Sequence, residues 1–177
     1  MEQRPDASEE ESTRGGHTDR QSRGVRGRDS RHSRPSSNPS GTIDTVLVPV
    51  DVSEHAQRAA AHAIALAQRE GATLHALYVV DTREMGEPAL SSMEIVIEER
   101  KDRGRKVLAA VAETAEKHGV PVETICCHGD PAEEIRAIAD EIDSDLIIVG
   151  KRGETHEYCE GTVTRELLRE DDRVVVV

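Results

Sequence analysis

The stretch DLIIVGKRGETHEYCEGTVT, residues 145–164, passes from an apolar run through glycines into an amphipathic run. Leu146 to Val149 is too short for a helix and rich in β-branched side chains, so it reads as a buried strand. Gly150 follows at once, Gly150 and Gly153 flank Lys151 and Arg152, and Gly161-Thr162 leads into a helix over Val163 to Arg169. Strand, glycine loop and helix N-terminus in succession present backbone N–H groups and the positive end of a helix dipole to an anion such as phosphate. Such a loop makes a site only when an earlier strand delivers a matching residue to the same sheet edge.

Earlier strands are present. Thr45 to Val50 is a short apolar run ending at Asp51, with Pro49 placed near the strand end, where a missing ladder donor is tolerated. A helix follows that Asp51 or Ser53 can cap; Ala56, Ala59, Ala60, Ala63, Ile64 and Ala67 recur on one face, and Gly71 ends it. Thr73 to Val80 is the second strand, with Asp81 at its end, and residues 82–92 form a loop. Met93 to His118 is a helical pattern interrupted by Gly104, with Val107, Leu108, Val111, Ala112 and Ala115 on its inner face. Val122 to Cys127 is the third strand and His128-Gly129-Asp130 the turn after it. Asp130-Pro131-Ala132-Glu133 then starts a helix, with aspartate as cap and proline in the first turn. The glycine stretch, its helix and a last strand over Val174 to Val177 complete the chain. Strict β-α alternation predicts an α/β fold: a parallel sheet covered by helices on both faces.

Composition bounds the rest. The chain has 177 residues, room for one domain and a tail. In residues 1–41 Val25 is the sole branched apolar residue, and Arg, Ser, Gly, Pro and acids dominate, so this segment is expected to be disordered, leaving 42–177 as the domain. With eight Arg and seven Asp/Glu in the tail, the domain carries −13 of a formal net charge of −12. So acidic a surface disfavours nucleic acid as a partner, and with only four Lys it suggests a halophilic source. No apolar run approaches the ~18 residues that span a bilayer, and the N-terminus lacks the apolar core of a signal peptide, so the expected location is cytoplasmic and no membrane partner is expected. The first internal methionine is Met85, so a shorter product would need another start, such as Val25.

The strand ends carry a more specific pattern. Val48-Pro49-Val50-Asp51-x-Ser53, Tyr78-Val79-Val80-Asp81, the His128-Gly129-Asp130-Pro131 turn, and Asp145 to Gly150-x-x-Gly153 followed by Gly161-Thr162 together resemble the universal stress protein family over about residues 43–177. The resemblance implies a five-stranded Rossmann-like sheet of the adenine nucleotide alpha hydrolase type, strand order 3-2-1-4-5, a homodimer joined through the C-terminal strand, and, in one branch, ATP binding. It carries adenine and ribose contacts onto Pro49, Val50, Asp51, Val79 and Val149. Phosphate contacts fall on Gly150, Gly153, Gly161, Thr162, Val163 and Thr164, with threonine hydroxyls donating to phosphate oxygens and ATP, with magnesium, as the cofactor. Seven residues, ETHEYCE, separate Gly153 from Gly161 where the family pattern has nine.

Competing chemistries have weaker support. Lys151 is not a P-loop lysine, because the glycine and four residues that should precede it are missing. A phospho-acceptor receiver domain needs further acids and a lysine at strand ends, where this chain has Cys127-His128. Cys126, Cys127, His128, His156 and Cys159 invite a metal reading, since His156 and Cys159 are three apart, yet adjacent strand cysteines point to opposite faces, so a half-buried thiol pair and a loop histidine are expected rather than a zinc site. The Arg-rich half of the tail has no aromatics for base stacking and is expected to be a solvated leader. No general base or metal-holding acid is evident near the glycine loop, so ATP hydrolysis is expected to be slow at most. The alternative function is a dimeric stress protein that binds no nucleotide and acts through protein–protein contacts.

Overall fold

A computed structural model describes residues 41–83, 90–151 and 161–177. The tail over 1–40, most of the loop expected at 82–92 and the ETHEYCE segment lie outside the described residues. The elements are β1 (Thr45–Pro49), α1 (Glu54–Glu70), β2 (Thr73–Asp81), α2 (Leu90–Lys117), β3 (Val122–Gly129), α3 (Pro131–Glu141), β4 (Leu146–Val149), α4 (Thr162–Glu170) and β5 (Val174–Val176). The strands form one sheet in the order β3-β2-β1-β4-β5, and every pairing is parallel.

Alternation along each strand builds two cores. Val46 and Val48 of β1 with Leu74, Ala76, Tyr78 and Val80 of β2 face α1 and α2, whereas Leu47, Leu77, Ile147 and Val149 face α3 and α4. A strand buried on both faces has no polar side, which is why these segments are continuous apolar runs. In place of Phe and Trp, α1 lays Ala56, Ala59, Ala60, Ala63 and Ala67 on the sheet, all nearly or fully inaccessible. Small side chains bring that helix close to the strands.

Local chemistry sets the element ends. Ser53 caps α1, its hydroxyl accepting from the Ala56 N–H at 3.1 Å, and Gly71 closes the helix in the left-handed region at φ 74°. Asp130 caps α3 by accepting from the Ala132 N–H, with Pro131 behind it. Asp145 binds β4 to the start of β1: its carboxylate accepts from the Asp44 and Thr45 N–H groups at 2.8 and 3.0 Å.

Several element bounds differ from the expectation, two of them informatively. α2 begins at Leu90, not Met93, and runs through Gly104 without a break. A Cβ on Gly104 would fall 2.3 Å from Cδ1 of Tyr78, so this glycine lets the helix cross the tyrosine ring rather than ending it. β3 continues to Gly129, because β2 extends to Asp81 and offers ladder partners to His128 and Gly129. No helix among the described residues is long and apolar enough to cross a membrane.

Candidate functional site

The sheet opens where Pro49 stands. Alternate residues of a strand bond to alternate neighbours, and the Val50 N–H goes to Leu77 of β2 at 2.8 Å, so position 49 faces β4. Proline has no donor to offer there. Pairing between β1 and β4 is confined to Val46 and Leu47, and beyond it the two strands part. Their connections also leave to opposite faces, α1 with one core and α4 with the other. A parallel sheet places its ligand crevice at such a point.

A cleft of about 670 Å³ occupies the gap. Ten of the expected contact residues line it: Pro49, Val50 and Asp51 from the end of β1, Val79 from β2, Val149 and Gly150 from β4, and Gly161, Thr162, Val163 and Thr164 from the start of α4. Gly153 lies outside the described residues. The volume is in the range of small-molecule and cofactor pockets.

Individual groups have defined roles in this geometry. Asp51 is not the cap of α1, a part taken by Ser53; its carboxylate accepts from the Ser53 N–H at 2.8 Å, which fixes the side chain at the cleft wall. α4 has Gly161 at its N-cap and no side-chain cap, unlike α1 and α3. The start of α4, over Gly161 to Thr164, lines the cleft, so the positive end of the helix dipole faces it. The Gly161 N–H donates to the Lys151 carbonyl at 3.1 Å, so the segment between them leaves and re-enters the site at one place.

Two residues of the expected phosphate end also hold the fold together. The Thr164 hydroxyl donates to the Gly150 carbonyl at 2.9 Å and is buried, so it holds α4 to β4 and has no proton left for a phosphate. Gly150 is a packing residue as well: a Cβ there would lie 2.7 Å from the carbonyl carbon and oxygen of His55. Its bareness admits the first turn of α1, whatever it also does for a ligand.

Sequence reasoning missed the basic wall. Arg83, Arg100 and Arg103 line the cleft on the side of β2 and α2. Arg83 forks onto Asp81, with Nη2 to Oδ2 at 2.6 Å and Nε to Oδ1 at 3.0 Å, and reaches Asp130 at 3.5 Å. The hydrogen bonds from Arg83 hold the Asp81 carboxyl below its usual range, and the same pairing raises the Arg83 guanidinium. Arg100 Nη1 donates to the Asp81 carbonyl at 3.4 Å. The available signal was the three-residue spacing of Arg100 and Arg103, which places both on one side of a helix.

Cys126 and Cys127 do not line the cleft, and His156 and Cys159 lie outside the described residues. Cys126 packs with the core under α1 and α2, Cys127 with the opposite one. Burial, reinforced by Glu134, pushes the Cys127 thiol up to about 12. Among the described residues no three His, Cys, Asp or Glu side chains converge as a metal site.

Comparison with known proteins gives consistent matches. The model of the family described as the universal stress protein family matches residues 42–177. Universal stress protein MJ0531 of Methanocaldococcus jannaschii is 38% identical over 111 residues, 62% of this chain and 65% of that protein, just under two thirds of its length. The solved structure of MJ0577, a universal stress protein of the same organism, superposes with a TM-score of 0.68 at 28% identity, covering 77% of this chain and 96% of the other. A universal stress protein solved in complex with cAMP shares the fold, with a TM-score of 0.58 at 22% identity over 77% of this chain and 98% of its own.

Proposed function

We propose that this chain, which belongs to the universal stress protein family, binds an adenine nucleotide, ATP, in the cleft between β1 and β4 and serves a stress-response or regulatory role. One observation carries the reading: where β1 and β4 part, the cleft lining brings Asp51, Val79 and the uncapped start of α4 to one opening. Val50, Val79 and Val149 offer apolar walls to a base. The Asp51 carboxylate is an acceptor for ribose hydroxyls. The backbone N–H groups of Val163 and Thr164 and the positive end of the α4 dipole suit phosphate oxygens, as helix N-termini do. That a protein of this fold has been solved with cAMP agrees with the assignment. A magnesium ion would ride on the phosphate chain, keeping most of its waters, since the described residues supply no cluster for it. Any hydrolysis of the bound nucleotide would be slow.

Release of bound small molecules by denaturing the purified protein, followed by mass spectrometry, tests this reading. An adenine nucleotide in stoichiometric amount is the expected result. Its absence, together with no saturable calorimetric heat on adding ATP and magnesium, would refute the assignment.

The companion proposal is a homodimer through β5. That strand pairs with β4 on one side and ends the sheet on the other, with Val175 43% and Leu168 44% exposed beside it. An apolar sheet edge invites a second copy. Light scattering should give a dimer for the wild type and a monomer for Val175→Lys; a monomeric wild type would sink the idea. Action through such surfaces alone, without nucleotide, is the reading that remains if ATP fails to bind.

A further inference from the structure

Positive groups meet the cleft from two sides, and β1 runs between them. On one side are Gly150 and the start of α4; on the other are Arg83, Arg100 and Arg103. The order β2-β1-β4 puts β1 between the two sides, and α2 and α4 flank the cleft from opposite faces of the sheet. Among the described residues these three arginines gather on one side of the cleft, with Asp81, Asp130 and Glu166 near Arg83, in a domain, residues 42–177, that carries −13. The cluster is local and built. Arg83 is held by Asp81 and Asp130, and Arg100 is drawn to the Asp81 carbonyl at the mouth of β2.

A single phosphate chain lying on α4 leaves this wall facing the base and sugar only. We propose that the arginine wall is a second anion subsite, and that the cleft selects nucleotides bearing anionic groups at two positions, of the class of nucleoside 3′,5′-bisphosphates. The inference rests on the nucleotide reading above. The 5′ and 3′ oxygens leave a ribose in different directions, so one phosphate can take the α4 N–H groups while the other meets the arginines. Guanidinium suits that task, because its planar fork bonds two phosphate oxygens at once. Arg100 and Arg103 are the pair to test, since Arg83 also anchors the ends of β2 and β3.

Calorimetric titration of the full chain with AMP, adenosine 3′,5′-bisphosphate and ATP is the experiment, run on the wild type and on Arg100→Gln/Arg103→Gln. A charge-assisted contact predicts a bisphosphate preference over AMP of roughly tenfold or more in the wild type. In the double variant the ratio of the two affinities should fall close to one. Equal affinities in the wild type, or a preference that survives the double substitution in a variant with wild-type circular dichroism, would overturn the second subsite while leaving the nucleotide reading standing. Failure of all three ligands to bind would overturn both.

Discussion

Gly150→Ala separates what this glycine does for the fold from what it does for a ligand. The added Cβ would lie 2.7 Å from both the carbonyl carbon and oxygen of His55 and 3.0 Å from the Ala56 nitrogen. All three are backbone atoms of the entry to α1. That entry cannot swing aside cheaply, because the Ser53 cap and the buried Ala56 hold it. Overpacking of this kind costs about 1–3 kcal/mol, and a backbone obstacle argues for the upper half, about 2–3 kcal/mol. With a urea m-value of about 2 kcal/mol/M the midpoint should fall by roughly 1 M. The assay is urea unfolding of nucleotide-free protein, followed by circular dichroism. Gly71→Ala makes the control: nothing lies within 4 Å of its Cβ, so its left-handed φ of 74° alone acts, at about 1 kcal/mol. A Gly150→Ala midpoint equal to wild type would refute the packing role and leave only ligand approach to explain the glycine.

Ser53→Ala should cost about 1 kcal/mol in the same unfolding assay, the usual loss for a helix cap, while Asp51→Asn, which retains an acceptor for the Ser53 N–H, should change stability by less than about 0.5 kcal/mol. His75 predicts a pH slope: burial lowers its pKa below 6.5, against a weaker opposing effect of Glu123, so below that pH the unfolded chain takes up a proton that the folded chain resists. Stability should therefore fall from pH 7 to pH 5, and His75→Leu should flatten that part of the profile. Cys127, with its thiol pushed up to about 12, should resist iodoacetamide at pH 8 in the folded protein and react fully in urea, as peptide mapping would show.

Much of this architecture is legible in residues 42–177 alone, because apolar runs that end in Asp or Gly, and caps such as Asp130-Pro131, are local signals. The alanine face of α1 is likewise a matter of spacing. What escapes the sequence is set by contacts between distant elements. Gly104 looks like a helix breaker until Tyr78 is seen beneath it. β3 gains two residues because β2 offers partners for them. Gly150 and Thr164 suit a phosphate loop by residue type, yet the first is bare to admit α1 and the second spends its proton on a carbonyl. The arginine wall comes from α2 and the end of β2, remote in sequence from the glycine stretch, and only the strand order brings them to one cleft.

Titration of ATP with magnesium into the wild type and Asp51→Ala, read by calorimetry, tests the central claim most directly. Saturable binding at one nucleotide per chain, weakened at least roughly tenfold by the substitution through loss of a charged hydrogen-bond acceptor, is the result the account predicts. No heat with the wild type, or an affinity untouched when Asp51 is removed, would contradict it.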